Sequence, residues 1–168
     1  MNPVLVRVDE RLIHGQVSMG WVPVFDIQRI LIIDNRLAED DWERDLVKSS
    51  APDGVTVQVF GVREAGPTLT APQDTRVMVL ARRPETMVEL MDHGVHFTEI
   101  NLGGLHFRDG ARRFLDYLFL TPADVSALEE LKSRGVQLIA QDLPGHSKVD
   151  LNTSLAEGLL EYNRLPVS

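Results

Sequence analysis

Short runs of apolar residues alternate along the chain with stretches in which apolar positions recur at helical spacing. The apolar runs are rich in Val and Ile and nearly continuous, a pattern typical of strands covered on both faces of a sheet. They predict strands at residues 4–8, 27–33, 55–59, 76–80, 99–102 and 136–140. The stretches between them predict helices at residues 15–21, 38–50, 84–92 and 122–133.

Local signals bound three of these helices. Residues 49–54 break the chain before the third strand, and Gly94 ends the third helix. Thr121 precedes Pro122, which predicts an N-cap followed by proline in the first helical position. Gly135 then closes that helix.

Strand–helix alternation of this kind predicts an α/β fold with an open, mostly parallel sheet flanked by helices. We expect residues 1–168 to form a single domain, since the chain has no internal repeat or low-complexity segment. Residues 66–73, which contain Pro67 and Pro72, predict a loop. Residues 114–120 fit either a short strand or a helical turn, and residues 152–162 fit one terminal helix.

Composition narrows the classes of function. No apolar run is long enough to span a bilayer, and the first residues lack the pattern of a signal peptide, so we expect a cytoplasmic protein. The absence of cysteine excludes disulfides and thiolate sites. The 17 basic and 25 acidic side chains give a net charge of −8, which disfavours nucleic-acid binding but leaves room for a local basic patch facing an acidic partner.

The turn after the first strand carries the candidate chemistry. It places Asp9, Arg11 and His14 within six positions, at the strand end where open α/β sheets bind ligands. Imidazole is a good nucleophile, and the Arg fork matches phosphate oxygens. Gly15 opens a helix whose N-terminus favours anions, and Asp9 could fix the imidazole tautomer or orient Arg11. These residues fit a metal-free phosphoryl site. Taken alone, however, they favour a solvated loop that leads into a helix, because one histidine near an arginine is common.

A family resemblance changes that balance. Residues 7–17 read RVDERLIHGQV, and Trp21 follows one turn later. This run closely resembles the R-x-D-x-R-L-I-H-G-Q-V opening of the IIB subunits of the mannose/fructose/sorbose family of the bacterial sugar phosphotransferase system. Residues 101–110, NLGGLHFRDG, resemble the family's N-x-G-G-x-x-F-R-x-G loop, and residues 51–55, APDGV, resemble its A-P-x-G-V turn. The likeness runs to about Leu151; the tail beyond it has no clear match.

The resemblance implies an enzyme, a protein-phosphohistidine–sugar phosphotransferase. It implies that His14 is phosphorylated on Nδ1, that Arg11 contacts the phosphoryl group and that Asp9 lies beside it. The remaining residues assigned to phosphoryl or loop binding are Gly15, Gln16, Gly103 and Gly104. The donor would be a IIA phosphohistidine and the acceptor a sugar bound by membrane IIC and IID subunits, with no cofactor and no metal. The sugar itself is not implied, because its recognition lies largely in the membrane subunits.

Other interpretations stay open. The chain could be a regulatory module whose phosphorylation alters partner binding without feeding a transporter, or a small-ligand domain that uses the Gly103–Gly104 loop. His93 and His96 have a spacing that can serve metal ligands, but Gly94 separates them and disfavours a shared face. His106 could lie near His14; the resemblance assigns it no role. His146 is expected in a solvated turn.

Overall fold

The computed structural model describes residues 3–71 and 74–160. Its strands are β1 Leu5–Val8, β2 Arg29–Ile33, β3 Thr56–Phe60, β4 Val77–Ala81, β5 Glu99–Leu102, β6 Arg112–Leu115, β7 Leu118–Leu120, β8 Gln137–Ala140 and β9 Val149–Asp150. Helix α1 is π-helical over Gln16–Trp21 and α-helical over Val22–Val24. The other helices are α2 Asn35–Glu39, α3 Asp41–Ser49, α4 Val62–Thr70, α5 Pro84–Asp92, α6 Pro122–Ser133 and α7 Leu151–Ala156.

The main sheet of the described residues has seven strands in the order β3-β2-β4-β1-β5-β8-β9. Every pair in it is parallel except β8 with β9. The predicted α/β fold with an open, mostly parallel sheet is therefore confirmed. All the predicted strands are present, with ends that shift by at most two residues.

The strand order creates a crevice at the end of β1. The chain leaves β1 toward β2 on one side and later crosses to β5 on the other, so β1 lies between β4 and β5. Val8 pairs with Ala81 of β4 and Leu102 of β5, which brings the three carboxyl ends level. Such a point of topological reversal is where open α/β sheets bind ligands.

Apolar side chains fill both faces of the sheet. One cluster packs β1, β4 and β5 against α4, α5 and α6, with Leu128 among its fully buried members. The other packs β1, β2 and β4 against α1, where Trp21 is buried. The continuous apolar strands follow from this cover on two sides.

Three predicted elements differ from the structure or are resolved by it. The single helix predicted over residues 38–50 is wrong: α2 ends at Glu39, and α3 begins after Asp40, whose extended backbone separates the helices. The Asp40 carboxylate accepts the Glu43 amide at 2.8 Å and so caps α3. The ambiguous residues 114–120 belong to an antiparallel hairpin, β6–β7.

The loop predicted over residues 66–73 is also wrong up to Thr70, because α4 runs through it with Pro67 inside. Its buried residues recur at helical spacing, and that packing outweighs the cost of an internal proline; they are Val62, Ala65, Gly66 and Leu69. Pro72 and Gln73 lie outside the described residues.

The sequence also predicts a terminal helix and the N-cap of α6. The terminal helix predicted over residues 152–162 is too long within the described residues, because α7 runs from Leu151 to Ala156 and a turn follows it. Residues 161 and 162 lie outside the described residues. The predicted N-cap at Thr121 is confirmed, since its hydroxyl accepts the Asp124 amide at 3.2 Å. Within the described residues, no helix has the length and apolar character needed to cross a membrane.

Candidate active site

The turn that follows β1 is tied to both neighbouring strands. The Asp9 amide donates to the Ala81 carbonyl at 2.9 Å, and the Glu10 amide donates to the Gly104 carbonyl at 2.9 Å. Leu12 then adopts a left-handed backbone, with φ of 55°, while its side chain is buried in the apolar cluster beneath α1. A leucine in this conformation is sterically costly and persists only where packing requires it. The turn therefore presents His14 at the start of α1.

His14 faces Asp9 through one ring nitrogen. Nε2 lies 3.1 Å from Asp9 Oδ2, and the His14 side chain is 13% exposed. Nε2 meets Asp9 at ion-pair distance without the geometry of a hydrogen bond, and within residues 3–71 and 74–160 the other nitrogen, Nδ1, has no hydrogen-bond partner either. A carboxylate facing one nitrogen favours the tautomer with the proton on that nitrogen. The geometry therefore leaves the Nδ1 lone pair for an electrophile.

Asp9 is fully buried and remains a carboxylate because His14 and Arg7 accompany it. Arg7 Nη2 donates to Asp9 Oδ2 at 2.9 Å, and both side chains are 0% exposed. Burial raises the pKa of Asp9, but the contact with His14 and the charge of Arg7 outweigh burial and leave this pKa below its usual value. Burial lowers the pKa of Arg7, and Asp9 offsets part of that effect.

Arg7 is held by the far side of the sheet. Its Nη1 donates to the Gln141 carbonyl at 2.9 Å and to the Asn101 side chain. Its Nη2 also donates to the Asp142 carbonyl at 3.2 Å, and its guanidinium carbon lies 4.7 Å from the centre of the Trp21 ring. The site prediction did not include this arginine. A signal for it was present, namely a charged residue within an apolar strand.

The glycine loop fits around this buried pair. A Cβ on Gly103 would overlap the Arg7 guanidinium and the Asp9 carboxylate, so this position admits only glycine beside the pair. The Gly104 amide donates to Asp9 Oδ2 at 3.3 Å. The structure thus places both predicted glycines beside Asp9, where they position the carboxylate.

Arg11 lies on the open side of Asp9. Its side chain is 43% exposed, and its Nε lies 4.0 Å from Asp9 Oδ1. Nη2 donates to Gln16 Oε1 at 2.8 Å, so the predicted residue Gln16 orients the guanidinium. Gly15 is exposed, and a Cβ there would meet nothing within 4 Å. The turn therefore brings together Asp9, Arg11 and His14 with an open approach at the helix start.

A further ring of charges surrounds Glu10. His106 Nδ1 lies 2.7 Å from Glu10 Oε1, and Arg83 Nη1 lies 3.1 Å from Glu10 Oε2. Arg82 donates to the Glu10 carbonyl at 2.8 Å and to Asp34 at 2.7 Å. Sequence reasoning placed His106 near the site but did not identify Glu10, Arg82 or Arg83 as part of it.

The remaining histidines lie apart from this constellation. His93 ends α5 and is exposed, as is His96. His146 is exposed, as predicted, and pairs with Asp142 at 3.0 Å in the loop after β8. Among the described residues, no group of three or more His, Asp or Glu side chains could hold a metal ion.

Comparisons with known proteins identify the family of the chain. The family described as the PTS system sorbose subfamily IIB component matches residues 3–164. The chain belongs to this family of IIB components. IIB components of the PTS, the sugar phosphotransferase system, are phosphotransferases, and the resemblance of residues 7–17 to the family is confirmed.

Alignments with individual relatives cover most of this chain and most of each relative. The chain is 31% identical over 152 residues to the fructose-specific EIIB component of Bacillus subtilis, covering 89% of this chain and 93% of that one. It is 34% identical over 140 residues to the sorbose-specific EIIB component of Klebsiella pneumoniae, covering 82% and 85%. The crystal structure of the IIBSor domain of the sorbose permease from Klebsiella pneumoniae matches with a TM-score of 0.85 at 31% identity, covering 94% and 98%.

Proposed function

We propose that this IIB component accepts a phosphoryl group on Nδ1 of His14 from a IIA phosphohistidine and passes it to a sugar. The observation that supports this most directly is the contact of His14 Nε2 with the buried carboxylate of Asp9 at 3.1 Å. That contact commits one ring nitrogen to the protein interior and leaves the other as the nucleophile.

Each side chain has a distinct part in the transfer. The Nδ1 lone pair attacks phosphorus as the donor P–N bond breaks, and the electron pair of that bond returns to the donor imidazole. Bond formation makes the His14 ring cationic, and the Asp9 carboxylate stabilises that charge. Arg7 keeps Asp9 ionised from within the sheet. Arg11 stabilises the oxygens of the phosphoryl group through its planar fork.

The second transfer reverses the first. A sugar hydroxyl attacks phosphorus and gives up its proton to a base or water beside the sugar. The Nδ1–P bond breaks, its electron pair returns to Nδ1, and the ring becomes neutral again with its proton on Nε2. Membrane IIC and IID subunits hold the sugar, so the protein works in the cytoplasm and meets the membrane only through these partners. The exposed approach to the turn between Arg11 and Gly15 suits two successive partners. No cofactor, metal or nucleic acid takes part.

A labelling experiment tests the acceptor. The chain is incubated with a phosphorylated IIA donor, and intact mass is measured before and after acid treatment. We expect one acid-labile phosphoryl group on the wild type and none on His14→Ala. His93→Ala is the matched control, because His93 is exposed at the C-cap of α5 and is not among the described residues that contact Asp9, Arg11 or His14. Nuclear magnetic resonance of the phosphorylated ring then reports which nitrogen carries phosphorus.

Two outcomes would contradict the proposal. Label on His14→Ala would remove His14 as the acceptor, and phosphorus on Nε2 would contradict the role of Asp9. The regulatory alternative is separated by a second step, in which the labelled protein is added to membranes that contain cognate IIC and IID subunits and a sugar. Transfer to the sugar supports the transport role, whereas retention on the protein supports the regulatory one.

A further inference from the structure

We propose that His106 is a second binding residue for the phosphoryl group, one that donates a hydrogen bond from Nε2 to a phosphoryl oxygen on His14. This inference rests on the proposed function, because it requires phosphorylation of His14. It gives a role to a histidine to which the family resemblance assigns none.

The position of His106 is defined by its neighbours across Gly104. A Cβ on Gly104 would lie 3.4 Å from His106 Cε1, 3.6 Å from Arg11 Nη2 and 3.7 Å from Asp9 Oδ1. The imidazole and the Arg11 guanidinium therefore border the same small space, with Asp9 beneath it. Asp9 Oδ2 also contacts His14, so His14, Arg11 and His106 all lie around the same carboxylate. The proposal places the phosphoryl group of His14 in the space between Arg11 and His106.

The ring of His106 is anchored at its other nitrogen. Nδ1 lies 2.7 Å from Glu10 Oε1, and Arg83 contacts the second oxygen of the same carboxylate at 3.1 Å. The Glu10 backbone is fixed in turn by Arg82, which donates to its carbonyl at 2.8 Å. In the imidazolium form both ring nitrogens donate, so the contact with Glu10 leaves Nε2–H for a second acceptor. Within the part of the chain that the structure describes, Nε2 has no hydrogen-bond partner.

The balance of charge favours such a donor. A phosphoryl group on His14 brings negative charge close to the Asp9 carboxylate, which repels it. The Gly104 amide already donates to Asp9, and Arg11 Nη2 donates to Gln16. A second cation that borders the same space offsets the repulsion and adds a charge-assisted hydrogen bond.

The test measures transfer between the phosphorylated IIA donor and the full chain. His106→Ala, His106→Gln and His106→Leu are compared with the wild type and with the control His93→Ala. We expect His106→Ala and His106→Leu to accept one phosphoryl group on His14. Their equilibrium constant for transfer should be lower by about ten-fold, the size of one charge-assisted hydrogen bond. His106→Gln, which keeps an amide donor, should recover most of the loss, and His93→Ala should match the wild type.

The equilibrium constant separates a phosphoryl contact from a structural effect, because a loosened fold does not distinguish glutamine from leucine. If His106→Ala fails to fold, the Gln–Leu comparison gives the answer. Constants within two-fold of the wild type for all three variants would overturn the inference while His14 labelling still supports the proposed function. Phosphorus found on His106 would also overturn it, in favour of an acceptor role. Absence of label on the wild type would overturn both proposals.

Discussion

Three side chains connect the interior of the sheet with the reactive turn, namely Arg7, Asp9 and His14. Arg7 and Asp9 are fully buried, and removing two charges from water is costly unless geometry and further hydrogen bonds compensate. The compensation here comes from two carbonyl oxygens, one side-chain amide and a tryptophan ring around Arg7. The desolvation cost of the buried pair is the cost of holding a charged, rigid carboxylate against His14.

Asp9→Asn tests that dependence on charge. The variant keeps the shape of the side chain but leaves Arg7 as an unpaired buried cation, so we expect a loss of about 3–5 kcal/mol in the free energy of unfolding at neutral pH. Urea denaturation measures this loss. Asp116→Asn is the control, because Asp116 is 88% exposed in its pair with Arg113, and surface pairs contribute about 1 kcal/mol or less. Equal small losses in both variants would contradict a central role for the buried pair.

The acid limb of the stability profile follows from the same carboxylate. The pKa of Asp9 is lower in the folded protein than its ordinary value, so the unfolded state takes up the proton first. The stabilisation is therefore complete above the ordinary carboxyl range, about pH 4. It is lost as the pH falls through the lower pKa of the folded state. Asp9→Asn, which has no such ionisation, should lose less stability over that interval than the wild type.

At the level of elements, the local hydrophobic pattern predicted where the strands lie but not which strands are neighbours in the sheet. Apolar runs rich in Val and Ile identified β1 and its parallel neighbours, because strands covered on both faces have this composition. The contacts of Arg7 come from residues 94 and 134 positions away, at the ends of β5 and β8. Neither hydrophobic periodicity nor composition reveals the order of the strands in the sheet. The partners of a charged residue within a strand could therefore not be inferred from the sequence.

The same limit applies to the site. Asp9, Arg11 and His14 are local neighbours in one turn, and a motif of consecutive residues identifies them. The contact of His106 with Glu10 spans 96 positions and depends on β5 lying beside β1. Helix α4 was missed for a different reason. Pro67 suggested a break in the chain, although the apolar residues around it recur at helical spacing.

The loop that leaves β5 packs against the turn that leaves β1, and Gly103→Ala tests that contact between elements. Its Cβ would overlap the guanidinium of Arg7 and the carboxylate of Asp9. Because the pair is fixed by the sheet, we expect overpacking to cost about 1–3 kcal/mol of unfolding free energy. Gly104→Ala is a matched neighbour, since its Cβ would meet no atom closer than 3.4 Å.

Thermal denaturation of both alanine variants gives the comparison. Gly103→Ala should melt well below the wild type. It should also accept the phosphoryl group from the IIA donor slowly, because Asp9 is displaced from His14. Gly104→Ala should melt close to the wild type. If the two variants melt together, the loop tolerates a side chain at Gly103 and the fit around the ion pair is looser than the distances indicate.

At the scale of the whole molecule, one sheet belongs to two cores. In β1, Leu5 faces the cluster beneath α1, and Val6 and Val8 face the cluster beneath α4, α5 and α6. In β4, Met78 and Leu80 alternate with Val77 and Val79 in the same way. Loss of either core removes the support for strands that the other core needs. We therefore expect the sheet and both layers to unfold in one transition, as single domains usually do.

A cavity made in the core on one face of the sheet tests this cooperativity, if unfolding is followed by a tryptophan on the other face. Leu128→Ala removes a fully buried side chain from the cluster that contains α6, and we expect a loss of about 2–5 kcal/mol. Trp21 is 2% exposed in the opposite cluster. Trp42, which is 73% exposed on α3, is replaced by phenylalanine, so that the tryptophan fluorescence comes from Trp21 alone and reports on its cluster. Trp21 fluorescence and far-ultraviolet circular dichroism should shift to lower urea by the same amount. A Trp21 transition that stays at its original midpoint would mean that the two layers unfold separately. The candidate site in the turn before α1 would then not share the stability of the helices on the other face of the sheet.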